Sequence, residues 1–348
     1  MGILYTSKEK HTKYFHHGYV LDSRICTNDD LELFTCVFLR KREKRLVRKV
    51  NKNMVHGATL DNLLKLRTFT YEKNSTIPKY ILKTYNIYVD KNFAYVISEP
   101  CTGGFLFDIL RDNDEIISER LLAEWFYQII VALHFLEQND IYHGNLNGYC
   151  VYFKDSRKEE IRLSLLSKNK KYDNIDNKGD LYGLHFIRSP QEIRKLYHDK
   201  NNTWYIGILL YFLLHGSYPF MNNSVLINYL NIVQEDIPFA HLKSQHSNLS
   251  ANIYDFLKKT LEKNYDERPS TRELLAHAWI RDREKHSTNN IVGEKTRSRP
   301  DKKSKMHTIF LLFLLFLLFF PNIAKCGRSA CEQIKKLENR ILTVEEDD

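Results

Sequence analysis

Apolar and polar residues alternate through much of the segment from residue 13 to 98, whereas beyond residue 106 the apolar positions recur every three or four. The first pattern predicts strands, the second helices. Leu33 to Leu39 and Leu46 to Val50 form a predicted hairpin around the charged stretch Arg40 to Arg45, and Tyr80 to Tyr88 with Ala94 to Ser98 form another pair. One helix is expected near Leu60 to Leu66. Leu122, Trp125, Phe126, Ile129, Ile130, Leu133 and Leu136 mark the buried face of a long helix, with Ser118 as its N-cap candidate. Tyr205 to Leu214 is apolar on every side, so that helix is expected at the centre of a helical lobe. Ser250 to Glu262 and Ser270 to Ala278 are two further helices, and Ser270 with Glu273 matches the S-x-x-E capping box.

Composition narrows the class. With 348 residues, 43% of them apolar and 27% charged, the chain supports a large core and is not disordered, collagen-like or disulfide-stapled. One core stops growing at roughly 250 to 300 residues, which predicts a bilobal domain or two close-packed lobes plus a tail. The net charge of +9 changes little, because Lys and Arg are interspersed with acids and read as solvated surface, without nucleic acid as a partner. Cys26, Cys36, Cys101 and Cys150 lack metal-ligand spacing and read as buried thiols. Met1 to Thr6 carries no signal-peptide core, so the body of the chain is expected in the cytosol, while the same residues fit the loose M-G-x-x-x-[ST] pattern for myristoylation of Gly2.

The sharpest shift lies near the C-terminus. Ile309 to Phe320 is an unbroken run of twelve apolar residues, and Met306 to Ala324 spans nineteen positions without a charge. That is close to the roughly 20 residues needed to cross a bilayer. Six basic residues and one acid precede it from Lys295 to Lys305, and five basic and six acidic residues follow from Lys325, which places the N-terminal part on the cytoplasmic side. A membrane anchor over 306–324 is the favoured expectation. A buried core helix and a secretory-type segment from a joined reading frame are the alternatives. With an anchor, Cys326 and Cys331 lie in an oxidising compartment, where they can pair.

Motifs point to a family. A sheet-rich part of about 85 residues, the connector Ser98 to Gly104 and a helical part of about 180 residues look like the bilobal α+β fold of eukaryotic protein kinases. Ile141-Tyr142-His143-Gly144-Asn145-Leu146 resembles the catalytic loop I-x-H-R-D-L. Ser189-Pro190-Gln191 resembles A-P-E, Trp204-Tyr205-Ile206-Gly207 resembles W-S-x-G, and Tyr218-Pro219-Phe220 resembles the following P-F. Arg268-Pro269-Ser270 to Trp279-Ile280 is similar to the ending typical of the calmodulin-dependent-kinase group. The resemblance covers roughly residues 15 to 283, with an N-lobe over 13–98, a C-lobe over 99–283, a basic linker over 284–305, the apolar segment over 306–324 and a charged tail over 325–348.

Carried over residue by residue, the resemblance implies lost chemistry. Phosphoryl transfer relies on carboxylates that hold Mg²⁺ and orient the attacking hydroxyl. The catalytic Asp falls at Asn145, the loop Lys at Asn147, the metal-binding Asn at Cys150, and D-F-G at Leu165-Leu166-Ser167. An amide has negligible basicity, and a thiol is a poor ligand for a cation that prefers hard oxygens. Lys49, in Leu46-Val47-Arg48-Lys49, matches the strand lysine of V-A-I-K and is the one nucleotide-binding remnant. The Gly-rich loop falls at Thr27 to Glu32, where Asp29, Asp30 and Glu32 would oppose triphosphate if they point inward. Phe105 stands where an acid meets the ribose and Tyr152 where a Leu floors the adenine, so both are candidates to fill that cavity. The helix Glu that pairs with the lysine is absent at Thr68 or Phe69, leaving Glu72 as a candidate. Gly144 removes the loop Arg that holds an activation-segment phosphate. His143, Pro190, Trp204, Gly207 and Arg268 keep the packing positions, and Glu192 is a candidate partner for Arg268 in place of Gln191.

The expectation is an inactive Ser/Thr kinase, or pseudokinase, that needs neither ATP nor metal and acts at a membrane as a scaffold or regulatory protein. Its expected partners are other proteins, among them kinases or their substrates. The alternative is a divergent active kinase using ATP and Mg²⁺, with metal ligands drawn from Asp155, Asp173, Asp176 or Asp180. A small-molecule or lipid-binding module has no positive signal in these residues.

Overall fold

A computed structural model of the chain describes residues 13–15, 18–27, 31–52, 57–71, 77–110, 117–166, 186–194, 200–222, 224–239 and 249–288. Six strands, β1 (Lys13–Phe15), β2 (Tyr19–Thr27), β3 (Leu31–Phe38), β4 (Glu43–Asn51), β5 (Thr84–Val89) and β6 (Phe93–Ser98), form one antiparallel sheet in the order β1-β2-β3-β4-β6-β5. Helix α1 (Gly57–Tyr71) connects β4 to β5. The expected hairpin is β3–β4, paired without a break from Leu31↔Val50 to Phe38↔Glu43. The second predicted pair begins later than expected. Tyr80 lies in a turn, Ile81 bridges to Leu163, and the strand starts only at Thr84.

Strand parity gives the sheet two different faces. On β4, Leu46, Arg48 and Val50 stand opposite Ser98, Val96 and Ala94, while Val47 and Lys49 stand opposite Ile97 and Tyr95. Val50, Val96 and Ala94 join the main core with Leu63 and Leu66 of α1 and Leu106 beyond the sheet. Val47 and Ile97 instead pack with Tyr19 and Cys36 in a separate cluster rimmed by Phe34, Phe38, Tyr88 and Tyr95. The first face is turned towards the second lobe, the other away from it.

The second lobe is helical, with α2 (Glu119–Gln138), the short hairpin β7 (Val151–Phe153) and β8 (Ile161–Leu163), α3 (Pro190–Ile193), α4 (Asn201–His215), α5 (Val225–Gln234), α6 (Ala251–Thr260), α7 (Thr271–Ala276) and α8 (Ala278–Arg281). Ser118 caps α2 by accepting from the Leu121 N–H, and α4 is buried from Asn201 to Leu214, as its apolar circumference requires. A Cβ at Gly207 would lie 2.6 Å from Thr260 Oγ1 and 2.7 Å from Leu261 Cγ, so only glycine permits α4 to approach α6 this closely. The capping box of Ser270 and Glu273 is formed. The single helix expected from Ser270 to Ala278 is broken at His277, whose backbone is extended (φ −63°, ψ 140°) and whose ring accepts from the Trp279 N–H to start α8. Buried Glu119 accepts from Ser250 N–H at 2.9 Å and from Trp279 Nε1 at 3.0 Å, tying the start of α2 to α6 and α8.

These elements belong to one compact unit, Met1–Gly293. The apolar segment 306–324 and its flanks lie outside the described residues, as do Asn28 to Asp30, Glu72, Asp173, Asp176 and Asp180. Among the described residues no helix is long and apolar enough to cross a membrane.

Candidate nucleotide cleft

The loop from Ile141 to Cys150 enters β7 and closes on itself through local hydrogen bonds. Asn147 Nδ2 donates to Asn145 Oδ1 at 3.1 Å and to the Asn145 carbonyl at 3.2 Å, and Asn147 Oδ1 accepts from the Tyr149 N–H at 2.9 Å. The Cys150 thiol donates to the Asn147 carbonyl at 2.9 Å, and burial pushes it up to about 12, so it is neither thiolate nor nucleophile. His143 is buried. Its Nε2 lies 3.0 Å from the Ser164 carbonyl while Nδ1 accepts from the Asn145 N–H, which requires the neutral Nε2–H tautomer. Burial lowers that imidazole to about 4, and it acts as a strut between the loop and the end of β8. Leu165 and Leu166 are both in the core.

Parity corrects the assignment of the strand cation. Lys49, expected to be the nucleotide-contacting lysine, lies on the face turned away from the second lobe, where it pairs with Glu32 at 2.5 Å and sits 4.2 Å from the Phe93 ring centroid. Arg48, one residue earlier, faces the cleft. It is 1% exposed, donates through Nη1 to Ser164 Oγ, and lies 4.7 Å from the centre of the Tyr152 ring. The Tyr152 ring in turn lies 4.6 Å from the Phe105 ring at a 44° tilt, and the two residues form an isolated antiparallel bridge. Arg48, Tyr152 and Phe105 thus form one continuous row of contacts from β4 to the β7–β8 hairpin. Glu32, the described member of the acidic trio expected beside the phosphates, is neutralised by Lys49 on the far face and does not enter the cleft.

Helix α1 supplies no carboxylate to Arg48: Asp61, its only acidic residue, is exposed. Instead Asn62 Nδ2 donates to the Tyr142 carbonyl at 2.9 Å, tying the helix to the loop. Lower in the second lobe, Ser189 caps α3, with Pro190 in its first turn, and donates to Asn201 Oδ1 at 2.8 Å. Arg268 is fully buried beneath Trp204, with Nη2 bonded to Gln191 Oε1 at 2.9 Å and Nε to the Glu262 carbonyl at 2.7 Å. Burial lowers its guanidinium to about 10. Gln191 itself is therefore the hydrogen-bond partner. Glu192, expected as the substitute, is engaged by the Ser189 N–H at 2.9 Å and by the Tyr205 and Tyr142 hydroxyls.

A protein kinase domain model matches residues 35–280, from within β3 into α8. The chain belongs to the protein kinase family. Calcium-dependent protein kinase 6 of Plasmodium berghei (strain Anka) is 27% identical over 203 residues, 58% of this chain and 13% of that protein. CDPK-related kinase 4 of Arabidopsis thaliana is 26% identical over 265 residues, 71% of this chain and 42% of that protein. These relatives place the likeness in the calmodulin-dependent group, and the chain spans less than half the length of either. The autoinhibited serine kinase domain of the giant muscle protein titin shares the fold, with a TM-score of 0.62 at 18% identity over 79% of this chain and 84% of that one.

The described residues at the expected metal positions do not fit Mg²⁺. At the metal positions stand a thiol engaged with its own loop, an aliphatic Leu165 and the amide Asn145, and among the described residues no cluster of acids, His and Cys suits a metal ion. Asp155, one of the acids available for a divergent mechanism, bonds the N–H and side chain of Arg157 in the exposed β7–β8 turn. Arg48 is the cleft residue that motif matching missed. Its signal was the period of two: it shares a face with Leu46 and Val50, which pack inward, but Val47 on the other face is apolar as well.

Proposed function

We propose that this kinase-fold chain does not transfer phosphate and works by binding other proteins, held at a membrane by residues 306–324. The observation that carries the first part is the row of contacts Arg48–Tyr152–Phe105, at the positions where the family resemblance puts the base and ribose. The absence of carboxylates at residues 145, 150 and 165 supports it, since charge neutralisation by metal is most of what a kinase contributes. The packing residues His143, Pro190, Trp204, Gly207 and Arg268 remain engaged, as expected of a fold kept for its shape. Scaffolding or regulation of kinases or their substrates follows from a surface that keeps its form without turnover.

Two measurements test this. Thermal denaturation with ATP and Mg²⁺, followed by phosphate transfer to a generic basic protein, is expected to give neither a saturable shift nor turnover; turnover that vanishes in Arg48→Ala would establish a divergent active kinase instead. Proximity labelling with and without residues 306–348 is expected to lose membrane neighbours on truncation. Unchanged labelling would remove the anchor.

A further inference from the structure

We propose that the two lobes are clamped into one body by ties on separate sides of their junction, so that the sheet does not hinge away from the helical lobe. The inference goes beyond the binding role and does not depend on it. On the connector side, buried Arg162 of β8 lies with Nε 3.2 Å from Glu99 Oε1, an ion pair rather than a directed hydrogen bond. The same oxygen accepts from the Lys83 N–H at 2.9 Å. The Thr102 and Gly103 N–H groups donate to the Lys154 and Phe153 carbonyls at 3.0 and 3.2 Å. A Cβ at Gly103 would lie 2.2 Å from the Asp155 carbonyl oxygen, so only glycine lets the connector run this close to the hairpin. Beside it, the Leu163 N–H donates to the Tyr80 carbonyl at 2.7 Å, the Leu82 N–H donates to the Leu163 carbonyl at 2.8 Å, and Lys79 pairs with Glu160 at 2.6 Å. All of these contacts lie along the β7–β8 hairpin, and by themselves they would serve as a hinge axis.

What blocks rotation lies off that axis. Buried Asn62 donates through Nδ2 to the Tyr142 carbonyl at 2.9 Å. Its place on α1 is about 14 Å along the helix from Tyr71, the end that leads on towards Lys79 and the axis. From β4, Arg48 Nη1 donates to Ser164 Oγ, and the guanidinium lies 4.7 Å from the centre of the Tyr152 ring. Rotation about the hairpin would break both ties and bare Leu165 and Leu166, which are buried in a core continuous with Val50, Val96 and Leu63. One contribution opposes closure. Arg48 Nε and Nη2 have no hydrogen-bond partner, and opening would admit water to them. Apolar burial and the Asn62 bond outweigh that relief, which makes Asn62 the tie whose loss is read most clearly.

The test is single-molecule Förster transfer within the full chain, with dyes carried by p-azidophenylalanine in place of Val89 and Leu226, exposed residues of the first and second lobe. Val89 lies opposite Ala94, about 13 Å along the strand from Ser98 and the connector, so opening of the hinge moves it. The chain with both ties intact is expected to give one narrow distance distribution without any ligand. Asn62→Ala removes a buried hydrogen bond and is expected to raise a longer-distance population severalfold, and Asn62→Ala combined with Arg162→Lys to raise it further. If the double variant does not fold, Asn62→Ala carries the comparison. A second population in the intact chain overturns the clamp, and so do distributions that stay the same when the ties are removed. Neither nucleotide nor partner enters the measurement, so turnover in the phosphate-transfer assay would remove the binding role and leave this result standing.

Discussion

Removing the Tyr152 ring tests the plugged cleft directly. Tyr152 is 3% exposed, with the Phe105 ring 4.6 Å away on one side and the Arg48 guanidinium 4.7 Å from its centre. Truncating a buried aromatic to alanine costs about 3–5 kcal/mol, a sum that includes the void left behind. The guanidinium–ring contact lies at the buried end of a range of about 0.5–2 kcal/mol, so the upper half of that cost is expected. At roughly 2 °C per kcal/mol for a domain of this size, Tyr152→Ala should lower Tm by about 10 °C. If the ring occupies the place of a purine, free adenine should then enter the void, and at a hundredfold excess over its Kd it would restore about 2.7 kcal/mol. The assay is differential scanning fluorimetry of wild type and variant with and without adenine. A loss below about 1 kcal/mol, or an adenine shift as large in the wild type as in the variant, would refute the reasoning.

Three further outcomes follow from the geometry. Lys49→Ala should cost less than about 1 kcal/mol, with a salt-sensitive coupling to Glu32 in a double-mutant cycle, because the pair is partly solvated and lies outside the cleft; a loss several times larger would place Lys49 in a role the parity argument denies it. Gly207→Ala should destabilise by about 1–3 kcal/mol in chemical denaturation, since Thr260 and Leu261 must give way, and a neutral result would show that α4 and α6 can separate freely. Burial lowers the His143 imidazole from 6.5 to about 4, so the unfolded chain takes up the proton first. Its contribution is complete above pH 6.5 and is lost as pH falls towards 4, on the order of 3 kcal/mol, and His143→Gln should flatten that limb of the stability profile.

Much of the architecture was legible from periodicity because burial acts on whole faces. The heptad-like recurrence from Leu122 to Leu136 and the apolar circumference of Tyr205 to Leu214 permit few arrangements, and both helices lie where that pattern demands. Local competition was harder to read. His277 breaks a helix because its ring caps the next one, and Tyr80 turns aside because Ile81 bridges to β8 before the sheet begins. The partner of Arg268 was misread because Glu192 is nearer in charge, whereas the backbone direction at the start of α3 aims Gln191 at the guanidinium and Glu192 at Tyr205.

The chemistry available at residues 145, 147, 150 and 165 was determined by the sequence alone, since no fold can turn an amide, a thiol or an aliphatic chain into a carboxylate. Which cation faces the cleft was decided only by tertiary structure. Leu46, Val47 and Val50 are all apolar, and both sides of β4 are covered, one by α1 and the second lobe, the other by the tyrosine-rimmed cluster. With hydrophobic residues on both faces the period of two has no marked side, and pairing with β3 and β6 alone selects the register that turns Lys49 out and Arg48 in.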